Sequence, residues 1–94
     1  MDEQTVVDAH TLLHPIRYKL VQLINAKPSY QTELAAILGM GRRLATYHLD
    51  ILEEAGFLTA QYRVSQEGRG KGRAQKVYSV SPKVAATLAA LKEV

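Results

Sequence analysis

Two glycines set two positions apart, Gly39 and Gly41, interrupt a run that is otherwise helical by pattern, and this interruption constrains the fold more than any other feature of the chain. Upstream, Gln31 to Leu38 places Leu34, Ile37 and Leu38 on the period of one helical face. Gly39 follows where a helix commonly ends on a left-handed residue, and Met40-Gly41 leaves room only for a tight turn. Arg42 to Ala55 then runs as a longer helix that stops at Gly56. Its inward stripe is expected to be Ala45, His48, Leu49 and Leu52, with Ile51 beside them, which leaves Arg42, Arg43, Thr46, Tyr47 and Asp50 pointing outward.

A short helix, a glycine-containing turn and a longer helix with an arginine-led polar face have the spacing of a helix-turn-helix. The flanks supply the rest of a small domain. Thr5 to Leu13 carries Val6, Ala9, His10 and Leu13 on one helical face until His14-Pro15 stops it. Proline suits the first position of a helix, and Ile16, Leu20, Val21, Leu23 and Ile24 keep the period to Ala26. Lys27-Pro28-Ser29 reads as a break. After Gly56, Leu58, Ala60, Tyr62 and Val64 alternate with polar residues as in a half-buried strand, and Lys76 to Val80 is its expected partner. Ser81 is a good N-cap and Pro82 a good first residue for a last helix, Lys83 to Glu93. The expected fold is one domain over residues 1–94, mainly α with a small β-hairpin: four helices, a strand, a wing, a strand and a helix.

Between the two strands lies Gln66-Glu67-Gly68-Arg69-Gly70-Lys71-Gly72-Arg73-Ala74. From Arg63 to Lys76 five cations, Arg63, Arg69, Lys71, Arg73 and Lys76, face one anion, Glu67, whereas the whole chain carries a net charge of +3. The excess therefore belongs to this segment and the remainder is net negative. Positive charge gathered on one projection is the footprint of a nucleic-acid binder, and a solvated hairpin tip is the bland alternative. The loop is not a P-loop, because Lys71 is followed by Gly72 and a strand follows in place of a helix.

Other chemistries find little support. The chain has no cysteine, which excludes disulfides, thiolate metal sites and cysteine nucleophiles. His10, His14 and His48 fall on separate helical segments without carboxylates at ligand spacing, so no metal or cofactor is expected. His48 reads as a packed histidine and His14 as a helix cap. Glu53-Glu54 reads as a solvated helix face, so no enzyme is expected. The acidic start Met1-Asp2-Glu3-Gln4 precedes no long apolar run, and neither a signal peptide nor a membrane span is expected of what should be a cytoplasmic protein.

The run HPIRYKLVQLI, then ELAAILGMGRRLATYHLDILEEAGFL, then a basic hairpin closing on VYSVSP resembles the winged helix-turn-helix of ArsR-type transcriptional regulators. The likeness covers Thr5 to Val94. It implies a dimeric regulator of sequence-specific double-stranded DNA binding, with the Arg42–Ala55 helix in the major groove and the hairpin on the flanking backbone or minor groove. The cysteines that metal-sensing members carry on the third helix are absent, since Gln31-Thr32-Glu33-Leu34-Ala35 stands there.

Arg42 and Arg43 open the recognition helix, where free N–H groups and the helix dipole favour phosphate and a guanidinium can equally fork onto guanine. Thr46 and Tyr47 follow on the same face as phosphate or thymine-methyl contacts, although Tyr47 can also pack on its own helix. Gln31 and Thr32 are phosphate donors or helix caps. Arg63, Arg69, Lys71, Arg73 and Lys76 complete the expected DNA surface. The last helix is apolar nearly all round, more than a chain of 94 residues can cover, so Val84, Leu88 and Leu91 are expected to meet a second copy together with Val6, His10 and Leu13. A protein-interaction module whose basic loop binds an acidic partner, or a non-specific nucleic-acid coat, is the alternative reading.

Overall fold

The computed structural model describes residues 1–64 and 74–93. Asp2 opens α1 (Glu3–Leu12) by accepting the Thr5 N–H at 2.7 Å. His14 caps α2 (Pro15–Ala26), its Nδ1 accepting the Ile16 N–H at 3.2 Å while Pro15 takes a position that needs no donor. Two extended residues, β1 (Ser29–Tyr30), precede α3 (Gln31–Leu38), which Gly39 ends at φ 63°. After Gly41 comes α4 (Arg42–Glu54), and Gly56 at φ 86° turns the chain into β2 (Leu58–Val64). Then β3 (Ala74–Val80) returns, and Ser81 caps α5 (Pro82–Leu91) by accepting the Lys83 N–H at 3.3 Å.

The helical boundaries expected from the sequence therefore hold to within two residues at most ends. The sheet differs. Besides the β2–β3 hairpin, Ser29 and Tyr30 pair antiparallel with Tyr78 and Val77, giving the order β1-β3-β2. A two-residue strand beside Pro28 has no alternation to read, which is why the sequence shows only a break there. The β1 pairing lies against the inner half of β3, and nothing among the described residues covers the outer half of the hairpin. Tyr62 and Val64, expected on a half-buried face, are accordingly 69% and 63% exposed.

One core joins every layer: Leu12, Leu20, Val21, Ile24, Leu34, Leu49, Leu52, Phe57, Leu58, Tyr78 and Val84 are buried together. The inward residues of α4 are those the spacing gives, Ala45, His48, Leu49 and Leu52. In α1 the inward side is instead Thr5, Asp8, Ala9 and Leu12, because this helix lies along α5, where Asp8 Oδ1 meets Lys83 Nζ at 3.2 Å. Val6, His10 and Leu13 are left on the outside.

The last helix corrects an expectation. Val84 does not face outward for a partner: it is 8% exposed and belongs to its own core, and Leu88 packs partly against the same core. The α1–α5 packing covers that side. What α5 leaves open is a ridge of small residues, Ala85, Ala86, Ala89 and Ala90, with Leu91 half-buried at its edge.

Candidate nucleic-acid interface

The N-terminus of α4 is the best-placed feature for an anion. Gly41 caps it in extended conformation at φ −68° and ψ 153° and supplies no side-chain acceptor, so its first N–H groups are not capped by Gly41. Arg42 and Arg43 stand exposed on this end. Helical spacing puts Arg43, Tyr47 and Asp50 on the ridge opposite the buried face, and all three are exposed. The helix is also polar in charge, with Arg42 and Arg43 at its start and Asp50, Glu53 and Glu54 at its end. A polyanion can approach the first half of α4 far more readily than the second.

On one flank, α4 is tied to α3. The Gln31 amide Nε2 donates to the Arg42 carbonyl at 3.2 Å and to the Thr46 hydroxyl, and Thr46 Oγ1 donates to the same carbonyl at 2.8 Å. Gln31 thus spends its donors inside the chain and Thr46 its proton. Outward they offer an amide oxygen and a methyl group. Tyr30, not Gln31, is the N-cap residue of α3, and its N–H donates to Glu33 Oε1 at 2.9 Å.

Beyond this tie a groove of about 360 Å³ runs between the starts of α3 and α4 and the outer half of the hairpin, lined by Gln31, Thr32, Arg42, Tyr62, Gln75 and Lys76. Four of these are expected from three separate stretches of sequence; Tyr62 and Gln75 are not. The strand alternation points Tyr62 at a half-buried face, and no local signal marks Gln75. Lys76 is partly engaged already, with Nζ 3.0 Å from Glu53 Oε1 and about 6 Å from the Tyr62 and Tyr78 rings, 5.9 and 6.0 Å respectively. Its hydrogen bond to Glu53 raises its pKa above the ordinary lysine value. Arg63 is exposed on β2 opposite Gln75. Arg69, Lys71 and Arg73 lie outside the described residues.

Behind the recognition ridge sits the group that sequence reasoning undervalues. Arg17 is 8% exposed, its Nε donating to the Thr11 carbonyl at 2.7 Å and its Nη1 lying 3.3 Å from His48 Nδ1. His48 is 4% exposed, and the His14 ring stands 4.8 Å from its own, centroid to centroid. A signal for Arg17 is present in the sequence: it shares the helical face of Leu20, Val21 and Ile24. Burial first, then the charges of His14 and Arg17, hold the His48 pKa below the ordinary histidine value.

Comparison with known proteins bears on the fold. A family model described as a helix-turn-helix domain matches residues 12–61, just over half of the chain. Among solved structures, a possible transcriptional regulator for arsenical resistance is 28% identical, with a TM-score of 0.70 over 99% of this chain and 83% of that one. A predicted DNA-binding transcriptional regulator from E. coli is 25% identical, with a TM-score of 0.71 over 97% and 88%. The homodimeric winged helix-turn-helix DNA-binding domain of a possible ArsR-family transcriptional regulator from Mycobacterium bovis shares the fold at 20% identity, with a TM-score of 0.71 over 97% and 76%. No curated protein sequence matches the chain. No helix among the described residues is long and apolar enough to cross a membrane.

Proposed function

Since the chain belongs to the helix-turn-helix domain family, we propose that it is a cytoplasmic, sequence-specific double-stranded-DNA-binding regulator that acts as a homodimer, in its simplest form a repressor. The observation that carries this reading is the exposed Arg43–Tyr47 ridge on α4, next to a helix N-terminus that Gly41 leaves uncapped and a groove lined by Arg42 and Lys76. Arg43 and Tyr47 face base edges. Arg42, Thr32 and Lys76 hold the backbone that passes between α4 and the hairpin, with Arg63, Arg69, Lys71 and Arg73 extending the charge along the duplex. Gln31 and Thr46 serve mainly by fixing the two helix starts relative to each other.

The second copy docks on α1 and α5, through Val6, His10 and Leu13 and the alanine ridge of Ala86 and Ala89, with Leu91 at the edge. Small residues let two helices approach closely, and a two-fold pair sets two α4 helices about one DNA turn, roughly 34–36 Å, apart. Selection from a random duplex library at moderate salt tests the proposal. Enrichment of a palindrome with half-sites one turn apart is the expected result. Retention of all duplexes alike would make the chain a non-specific coat, and no retention at all would make it a protein-interaction module.

A further inference from the structure

The buried cluster behind the recognition helix joins three elements through groups that cannot all be charged. Arginine is a donor in every accessible state, so His48 Nδ1 must accept from Arg17, and the imidazole proton therefore sits on Nε2. The same guanidinium holds the Thr11 carbonyl at the end of α1. Arg17 thus pins α1 and α4 onto α2, and it does so as a cation almost withdrawn from water.

A proton added to His48 Nδ1 would abolish that acceptor and set two cations 3.3 Å apart. The charges bearing on His48 are His14, which caps α2, and Arg17. Tyr47, on its own helix, presents its ring edge-on at 5.1 Å. The carboxylates of the surrounding elements are engaged elsewhere: Asp8 of α1 with Lys83, Glu33 of α3 with the Tyr30 N–H and Glu53 of α4 with Lys76. Asp50 and Glu54 are exposed, as is Arg63 of β2, toward the far end of the hairpin. No carboxylate among the described residues figures among the groups that act on His48, so none offsets an imidazolium there.

We propose that Arg17 and His48 form a proton-sensitive latch that seats α4, so that acidification unseats the recognition helix and releases DNA. The release half rests on the DNA-binding reading above; the latch itself does not. The direction follows from linkage. Unfolded, His48 takes its proton near the ordinary value of about 6.5, and folded it takes it at lower pH, so between the two the unfolded chain binds more protons. Stability is whole above about 6.5, falls as pH drops through that value, and levels off once the folded imidazole is itself protonated.

The test uses the full chain, with binding to the library-selected duplex measured at about pH 7.5 and about pH 5.5, and His48 followed by NMR without DNA. The expected result is a loss of affinity of about fivefold or more at the acid pH, within the usual range for coupled sites, with His48 titrating below its ordinary value. His48→Asn keeps an acceptor for Arg17 and cannot titrate, so its affinity should stay level or rise at acid pH. Should that variant fail to fold, Arg17→Gln removes the buried charge but keeps a donor, and the His48 pKa should move up toward its ordinary value. An unshifted His48, or an acid loss as large in His48→Asn as in the native chain, overturns the latch. If no duplex binds even at about pH 7.5, the functional reading falls while the NMR titration and the melting temperatures still decide the latch.

Discussion

Arg42 and Arg43 are neighbours in sequence and differ in what they can do. Arg43 stands on the outermost ridge of α4 with Tyr47, whereas Arg42 lines the groove beside Thr32 and Lys76, with its own carbonyl taken by Gln31 and Thr46. Arg43→Ala should therefore lose about 1–3 kcal/mol on the preferred duplex, little on random DNA, and relax the choice at one base pair. Arg42→Ala should weaken every duplex about equally. Competition binding against single-base variants of the selected site separates the two, and equal losses for both arginines on all sequences would reduce α4 to a phosphate clamp. Gln31→Ala has a third signature: two hydrogen bonds that fasten α3 to α4 disappear, at a cost of about 0.5–1.5 kcal/mol each in stability, readable by urea unfolding before any DNA is added.

Among the elements, the turn between α3 and α4 depends on one backbone conformation. Gly39 sits at φ 63° with open space around the position a Cβ would take, so Gly39→Ala meets no clash and costs only the left-handed backbone, about 1–2 kcal/mol in thermal or urea unfolding. This conformation is legible in the sequence, as are the four buried residues of α4 and the caps at His14 and Ser81, because each rests on local spacing or a single residue's chemistry. The likeness to ArsR-type regulators rests on the same local blocks. Features that depend on what lies across the fold are not legible. The strand β1 is made by β3, which is far off in sequence; the inward turn of Val84 is made by the packing of α1 and α5; and Tyr62 is exposed because no layer among the described residues covers the outer hairpin. Of the candidate site, the charged residues are readable one by one, but the groove that gathers Gln31, Thr32, Arg42 and Lys76 exists only after folding.

At the scale of the whole molecule, the proposed pairing of copies puts small side chains where bulk would be fatal. Leu13→Lys combined with Ala89→Arg should yield monomers by sedimentation, with affinity for a palindrome falling far more than affinity for random duplex, because the gain from linked half-sites disappears. Neither position belongs to the buried core, so melting of the separated subunit should remain cooperative. Replacing Arg69, Lys71 and Arg73 by Ala should leave the palindrome preference intact and flatten the slope of log affinity against log salt by about one unit for each phosphate no longer neutralised. Among the described residues, β1 pairs with the hairpin at Val77 and Tyr78, while Tyr62 and Val64 stay exposed. The buried core takes Leu58 and Tyr78 from the hairpin but not Tyr62, so exchanges at Tyr62 can reshape the groove it lines while the fold stands still.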